Sequence, residues 1–85
     1  MILIKVYTIP SCSYCDKVKE LFKIVELEYL LIVVGRDVTK SQFQYLHPNA
    51  VGFPHVIIND EEIGGLQNVA KYLVDKGYGD KLRQR

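Results

Sequence analysis

Cys12 and Cys15 are the residues of this sequence best suited to chemistry, and they stand three apart in Cys12-Ser13-Tyr14-Cys15. An apolar run and Pro10 precede them and a helical pattern follows, so they straddle a strand-to-helix turn. Residues at i and i+3 are neighbours on a helical turn, so the two sulfurs can meet. Cys12 falls at or just before the helix start, where free backbone N–H groups and the positive end of the dipole favour a thiolate over a thiol. Motifs of this kind lower a cysteine pKa from about 8.5 into a range of about 3.5–7.5. Cys12 is therefore expected to be the nucleophile of a thiol–disulfide exchange. Cys15, one turn in and on the apolar stripe, is expected to stay a thiol longer and to act as the resolving group.

A C-x-x-C pair also occurs in zinc sites, but zinc ordinarily wants four ligands. His47 and His55 alone could supply the rest; their spacing is not that of a zinc finger, and His55 falls within a strand pattern. No metal is expected, and both histidines read as ordinary loop and strand residues. Two cysteines are also too few for a secreted disulfide framework. With 85 residues, 48% of them hydrophobic and 25% charged, the chain suits one domain over residues 1–85 with a thin core. Eleven Lys and Arg against ten Asp and Glu give a net charge of +1, too balanced to draw nucleic acid or an acidic membrane. No secretory leader is legible. The longest apolar run, Tyr29–Val34, is far short of the ~20 residues a membrane helix needs. A monomeric, cytoplasmic protein is expected. The basic end, Lys81–Arg85, reads as a solvated terminus.

The elements that must position the cysteines follow from periodicity. Ile2–Tyr7, with only Lys5 polar, suits a strand buried on both faces. Ser13–Val25 reads as a helix: Cys15, Val18, Phe22 and Val25 recur at three- and four-residue steps, and Ser13 with Asp16 resembles a capping pair. Glu28–Val34 is a second strand. Thr39 and Gln42 form a T-x-x-Q capping box opening a short helix to about Leu46, with Phe43 and Leu46 inward. His55–Asn59 is a third strand, and Glu62–Ile63 pairs back as a fourth. Leu66, Val69, Ala70, Leu73 and Val74 mark an amphipathic helix stopped by Gly77. The order β-α-β-α-β-β-α predicts an α/β fold. It is a small mixed four-stranded sheet with helices on both faces, the first two strands parallel and the closing hairpin antiparallel.

Tyr7-Thr8-Ile9-Pro10-Ser11-Cys12-Ser13-Tyr14-Cys15 resembles the active-site turn of a glutaredoxin. Gly52-Phe53-Pro54-His55-Val56-Ile57-Ile58 is similar to that family's T-V-P-x-V-F-I segment, and Ile63-Gly64-Gly65 to its I-G-G turn. The three motifs stand in the family's order, and the likeness runs from about Ile2 to Leu73. The shortness of the chain and the Ser of C-S-Y-C resemble compact glutaredoxins, including those encoded by bacteriophages. The resemblance implies a thioredoxin-like fold and glutathione-dependent reduction of protein disulfides and glutathione mixed disulfides. It implies a cis Pro54 and a catalytic pair Cys12 and Cys15. It implies a glutathione site formed by Tyr14, Phe53, Pro54, Gly64, Gly65, Leu66, Gln67 and Asn68. Ribonucleotide reductase is an implied partner beside other disulfide-containing proteins. Two other readings accompany it. One is a thioredoxin-like donor served by a flavoprotein reductase. The other is a dimeric carrier of a [2Fe-2S] cluster held by Cys12 of each subunit and two glutathione thiolates, which Ser13 permits.

The sequence departs from the family at charged positions. Ile9 stands where many members have a basic residue three before the first cysteine, and Asn68 where many have an acid. Gly52-Phe53 replaces the T-V of T-V-P. Lys5, Arg36 and Gln42 are the candidates to compensate, Gln42 being claimed also by the capping box.

Overall fold

The computed structural model describes residues 2–83. Strand β1 (Ile4–Thr8) leads into helix α1 (Ser13–Ile24), then β2 (Leu30–Val33), α2 (Lys40–Leu46), the hairpin strands β3 (His55–Ile58) and β4 (Glu61–Gly64), and α3 (Leu66–Leu73). The sheet order is β2-β1-β3-β4, with β1 parallel to β2 and antiparallel to β3, and β3 antiparallel to β4. The mixed α/β sheet expected from the element order is thus present, and with it the thioredoxin-like fold that the resemblance implies. β1 and β3 are the two inner strands, which is why all four residues of β3, and all of β1 but Lys5, are buried. β2 lies at an edge and is only half-buried despite its apolar sequence.

Period-two alternation divides the inner strands between two cores. Ile4, Val6, Val56 and Ile58 point to the face covered by Val18, Phe22 and Val25 of the α1 segment and Val69 and Leu73 of α3. Tyr7 and Ile57 point to the opposite face, where they meet Phe43 of α2 and Val34.

α2 begins as its sequence dictates. The Thr39 hydroxyl accepts the Gln42 N–H at 3.0 Å, and the Gln42 side chain accepts the Thr39 N–H at 2.8 Å. Thr39→Ala removes one half of this box and is expected to lower stability by about 1 kcal/mol, read from the midpoint of a urea unfolding curve. Gln42 is therefore occupied in the cap. Arg36 is likewise held on Asp37, at 3.0 Å.

Three expectations need correction. The N-cap of α1 is Cys12 itself, not Ser13, because its sulfur serves as the capping acceptor. Leu46 does not turn inward but is 58% exposed, since α2 is short and Phe43 alone reaches the core. Gly77 ends the Leu66 helix as expected, its φ of 95° being left-handed and non-helical at the kink within Val74–Tyr78, and a further helix α4 (Gly79–Arg83) follows. The basic end is accordingly not a free solvated tail through Arg83: Leu82 packs on the main core and Lys81 pairs with Glu26 at 2.8 Å. The last two residues of that segment, 84 and 85, lie outside the described residues.

Candidate active site

The turn between β1 and α1 places Cys12 where the chain enters the helix. Ser11 adopts φ of 58°, a left-handed conformation uncommon for a residue with a side chain, and this turns the backbone after Pro10. Cys12 is then extended, with φ −112° and ψ 109°, and its carbonyl accepts the Asp16 N–H that starts the helix. Its Sγ accepts the Cys15 N–H at 3.2 Å. An N–H aimed at sulfur, at the positive end of a helix, stabilises negative charge there.

Cys15 is in the opposite situation. It is buried on the apolar stripe of α1, 1% exposed, while Cys12 stays partly open. Burial first, and a hydrogen bond to the Cys12 sulfur second, push the Cys15 thiol up to about 11. Cys15 and the Cys12 sulfur are therefore neighbours across one turn, as the i, i+3 spacing predicts. One is reachable and served by a donor; the other is kept protonated and packed.

The loop before β3 closes over this pair. The Phe53–Pro54 peptide is cis, and the Phe53 carbonyl oxygen lies 3.9 Å from Cys12 Sγ. Phe53 itself is fixed by its ring, 5.0 Å from the Phe43 ring. Beside the loop is a cavity of about 350 Å³ lined by Tyr14, Val51, Phe53, Pro54, Gly65, Leu66, Gln67 and Asn68. Seven of these eight residues are those that the sequence resemblance assigns to one ligand. The eighth, Val51, is fully exposed and carried no sequence signal that could single it out. Gly64 borders a second, adjoining cavity of about 540 Å³, which shares Val51, Phe53, Pro54, Gly65 and Asn68 with the first. Gly64 has φ of 111°, and a Cβ there would fall 2.6 Å from Asn68 Nδ2, so glycine lets the Asn68 side chain lie across the turn. At the start of α3 the N-cap is Gly65, with no side chain to occupy the first N–H groups.

A family model described as Glutaredoxin matches residues 4–63. The chain belongs to the glutaredoxin family. Glutaredoxin 1 of Rickettsia bellii is 33% identical over 82 residues, covering 91% of this chain and 82% of its own. Hybrid peroxiredoxin hyPrx5 of Haemophilus influenzae is 30% identical over 69 residues, 81% of this chain, although this chain spans only 28% of that longer protein's length. Among solved structures, the buckwheat glutaredoxin–glutathione complex superposes with a TM-score of 0.71 at 23% identity, over 95% of this chain and 76% of the other, a likeness of fold. Glutaredoxin membership and the thioredoxin-like fold together support a thiol–disulfide oxidoreductase. Among the described residues no helix is long and apolar enough to cross a membrane.

His47 and His55, read from the sequence as unremarkable, are brought together with Glu62. One Glu62 oxygen lies 3.0 Å from His47 Nδ1 and 2.9 Å from His55 Nε2. The hydrogen bonds from His55 and then His47 hold the Glu62 carboxyl below the usual carboxylate range.

Proposed function

We propose that this glutaredoxin is a glutathione-dependent disulfide oxidoreductase acting on protein disulfides and glutathione mixed disulfides, with Cys12 as nucleophile and Cys15 as resolving thiol. The observation that carries this reading is the asymmetry of the pair: Cys12 Sγ is partly exposed and receives the Cys15 N–H, while the Cys15 thiol is buried and pushed up to about 11.

In the first step the Cys12 thiolate attacks the glutathione sulfur of a mixed disulfide. A Cys12–glutathione disulfide forms, the old S–S bond breaks, and the substrate thiolate leaves and takes up a proton. A second glutathione thiolate then attacks the glutathione sulfur of the adduct, releasing oxidised glutathione and restoring Cys12. With a protein disulfide, Cys12 forms the mixed disulfide with the protein. Cys15 gives up its proton and attacks Cys12, the second protein thiol leaves, and a Cys12–Cys15 disulfide remains. Two glutathione molecules reduce it, giving one oxidised glutathione.

Glutathione is an extended peptide with two carboxylates, and the cavity beside Pro54 offers it backbone rather than charge. The Phe53 backbone can pair with the peptide. The uncapped start of α3, at Leu66, Gln67 and Asn68, can take a carboxylate on its N–H groups. Tyr14, 58% exposed, lines the same cavity and adds to the docking surface. Gln42 is held in its cap and Arg36 on Asp37, which leaves Lys5 as the one compensating candidate not engaged in a hydrogen bond described above. The reading extends to a single-domain, monomeric, cytoplasmic protein whose partners are disulfide-containing proteins such as ribonucleotide reductase.

The experiment is turnover of a glutathione mixed disulfide with glutathione and glutathione reductase, set beside reduction by a flavoprotein thioredoxin reductase acting directly. Turnover is expected in the first assay, with a KM for the mixed disulfide that changes little with salt. Turnover in the second alone would assign the chain to the thioredoxin-like alternative.

A further inference from the structure

We propose that His47, His55 and Glu62 form a binding site for a zinc-class divalent cation, separate from the two thiols. The fold assembles this set from three places. Tyr7 and His55 are cross-strand partners in the β1–β3 ladder, and Ile57 faces Glu62 across the β3–β4 ladder. Cross-strand partners share a face of the sheet, so Tyr7, His55 and Glu62 all lie on the α2 side. His47, the C-cap residue of α2, closes over them. The donor atoms of His47, His55 and Glu62 all lie within 4.8 Å of one another.

The donor chemistry fits zinc. Two imidazoles and a carboxylate are a mixed N/O set, which suits borderline ions better than calcium or magnesium, whose sites are built from oxygens. With metal–ligand distances of about 2.0–2.2 Å, tetrahedral donors stand roughly 3.3–3.5 Å apart. Both nitrogens are at present 2.9 and 3.0 Å from one Glu62 oxygen, while the full donor set spans 4.8 Å, so the carboxylate must withdraw by a few tenths of an ångström and the two imidazole nitrogens must close toward each other. The carboxylate is free to withdraw, its side chain being 42% exposed on the edge strand β4, and His47, at the C-cap of the short helix α2, is the imidazole placed to shift toward His55.

The surroundings also supply an outer partner. His47 Nε2 lies 3.3 Å from the Tyr7 hydroxyl. Without metal Nδ1 donates to the Glu62 carboxylate; when a metal takes that position, a proton held on Nε2 and donated to the Tyr7 oxygen frees the Nδ1 lone pair for it. His55 and Glu62 also line the 540 Å³ cavity, so a fourth coordination position faces space that water can fill. The competing account is a plain ion-paired hydrogen-bond network with no affinity for metal.

The test is zinc binding by isothermal titration calorimetry to the full chain carrying C12S and C15S, which removes both thiolate ligands. One equivalent is expected to bind. Glu62→Gln and His47→Gln on that background should weaken binding at least ~10-fold, and Tyr7→Phe by about 10-fold through loss of the outer hydrogen bond. A second measurement uses the unaltered reduced chain: long-range ¹H–¹⁵N histidine spectra with zinc in excess of the thiols should show ligation at His47 Nδ1 and His55 Nε2. Absence of binding to the C12S/C15S chain, or affinity unchanged by Glu62→Gln, would overturn the proposal, as would histidine resonances that zinc leaves unmoved.

Discussion

Cys12→Ser is expected to remove disulfide reduction altogether, a loss on the order of 1000-fold or more that leaves only uncatalysed exchange. A hydroxyl at the α1 N-cap could still accept the Cys15 N–H, so the helix start survives while the nucleophile is gone. Cys15→Ser should behave differently on the two substrate classes. Free glutathione can resolve the Cys12–glutathione adduct, so turnover of mixed disulfides should stay within about tenfold of the unaltered chain. Reduction of protein disulfides, which needs the second thiol in place, should be lost. The measurement is initial rate for both variants on one substrate of each class. Equal loss in both variants on both substrates would contradict the roles assigned to the pair.

The second large effect is a pH-resolved difference in alkylation. Burial and the hydrogen bond to Cys12 push the Cys15 thiol from an ordinary 9.0 up to about 11. At pH 9 about one Cys15 in a hundred is then a thiolate, where an unperturbed thiol would be half ionised. A short pulse of iodoacetamide at pH 7–8, followed by peptide mass mapping, should therefore modify Cys12 and spare Cys15. Cys15 labelling should rise only as the pH approaches 11. The sign for stability follows from the same shift. The folded chain favours the neutral thiol, so this contribution is complete below about 9 and is lost as the pH climbs through about 11. Comparable labelling of both cysteines at pH 8 would contradict the buried, protonated state of Cys15.

Much of this architecture was legible in the residues. The apolar runs of β1 and β3, the steps Cys15, Val18 and Phe22 on α1, and the Thr39–Gln42 box each state a local preference that the tertiary structure keeps. The errors share a cause: a local signal met a longer-range contact. Ser13 and Asp16 fit a capping pattern, but sulfur one residue earlier occupies the cap. Gly77 carries a stop signal that its left-handed φ keeps, but the basic end beyond it forms α4, whose Leu82 and Lys81 find partners on the α1 side. The grouping of Tyr14, Phe53 and the Gly65–Asn68 turn around one cavity came from family resemblance, since nothing in their spacing brings them together. The His47–His55–Glu62 cluster was invisible for the same reason. It depends on the register of the β3–β4 hairpin, with its irregularity between Val56 and Ile57, and on where α2 ends.

The central claim is that Cys12 alone forms the covalent intermediate with glutathione. The direct measurement is intact-protein and peptide mass spectrometry of the Cys15→Ser chain after brief exposure to oxidised glutathione at neutral pH. One glutathionyl group is predicted, located on the peptide containing Cys12, and its release on addition of reduced glutathione should regenerate the unmodified chain. The Cys12→Ser chain should acquire none under the same conditions. A Cys15→Ser chain that stays unmodified, or a Cys12→Ser chain that takes up glutathione at Cys15 as readily, would contradict the account.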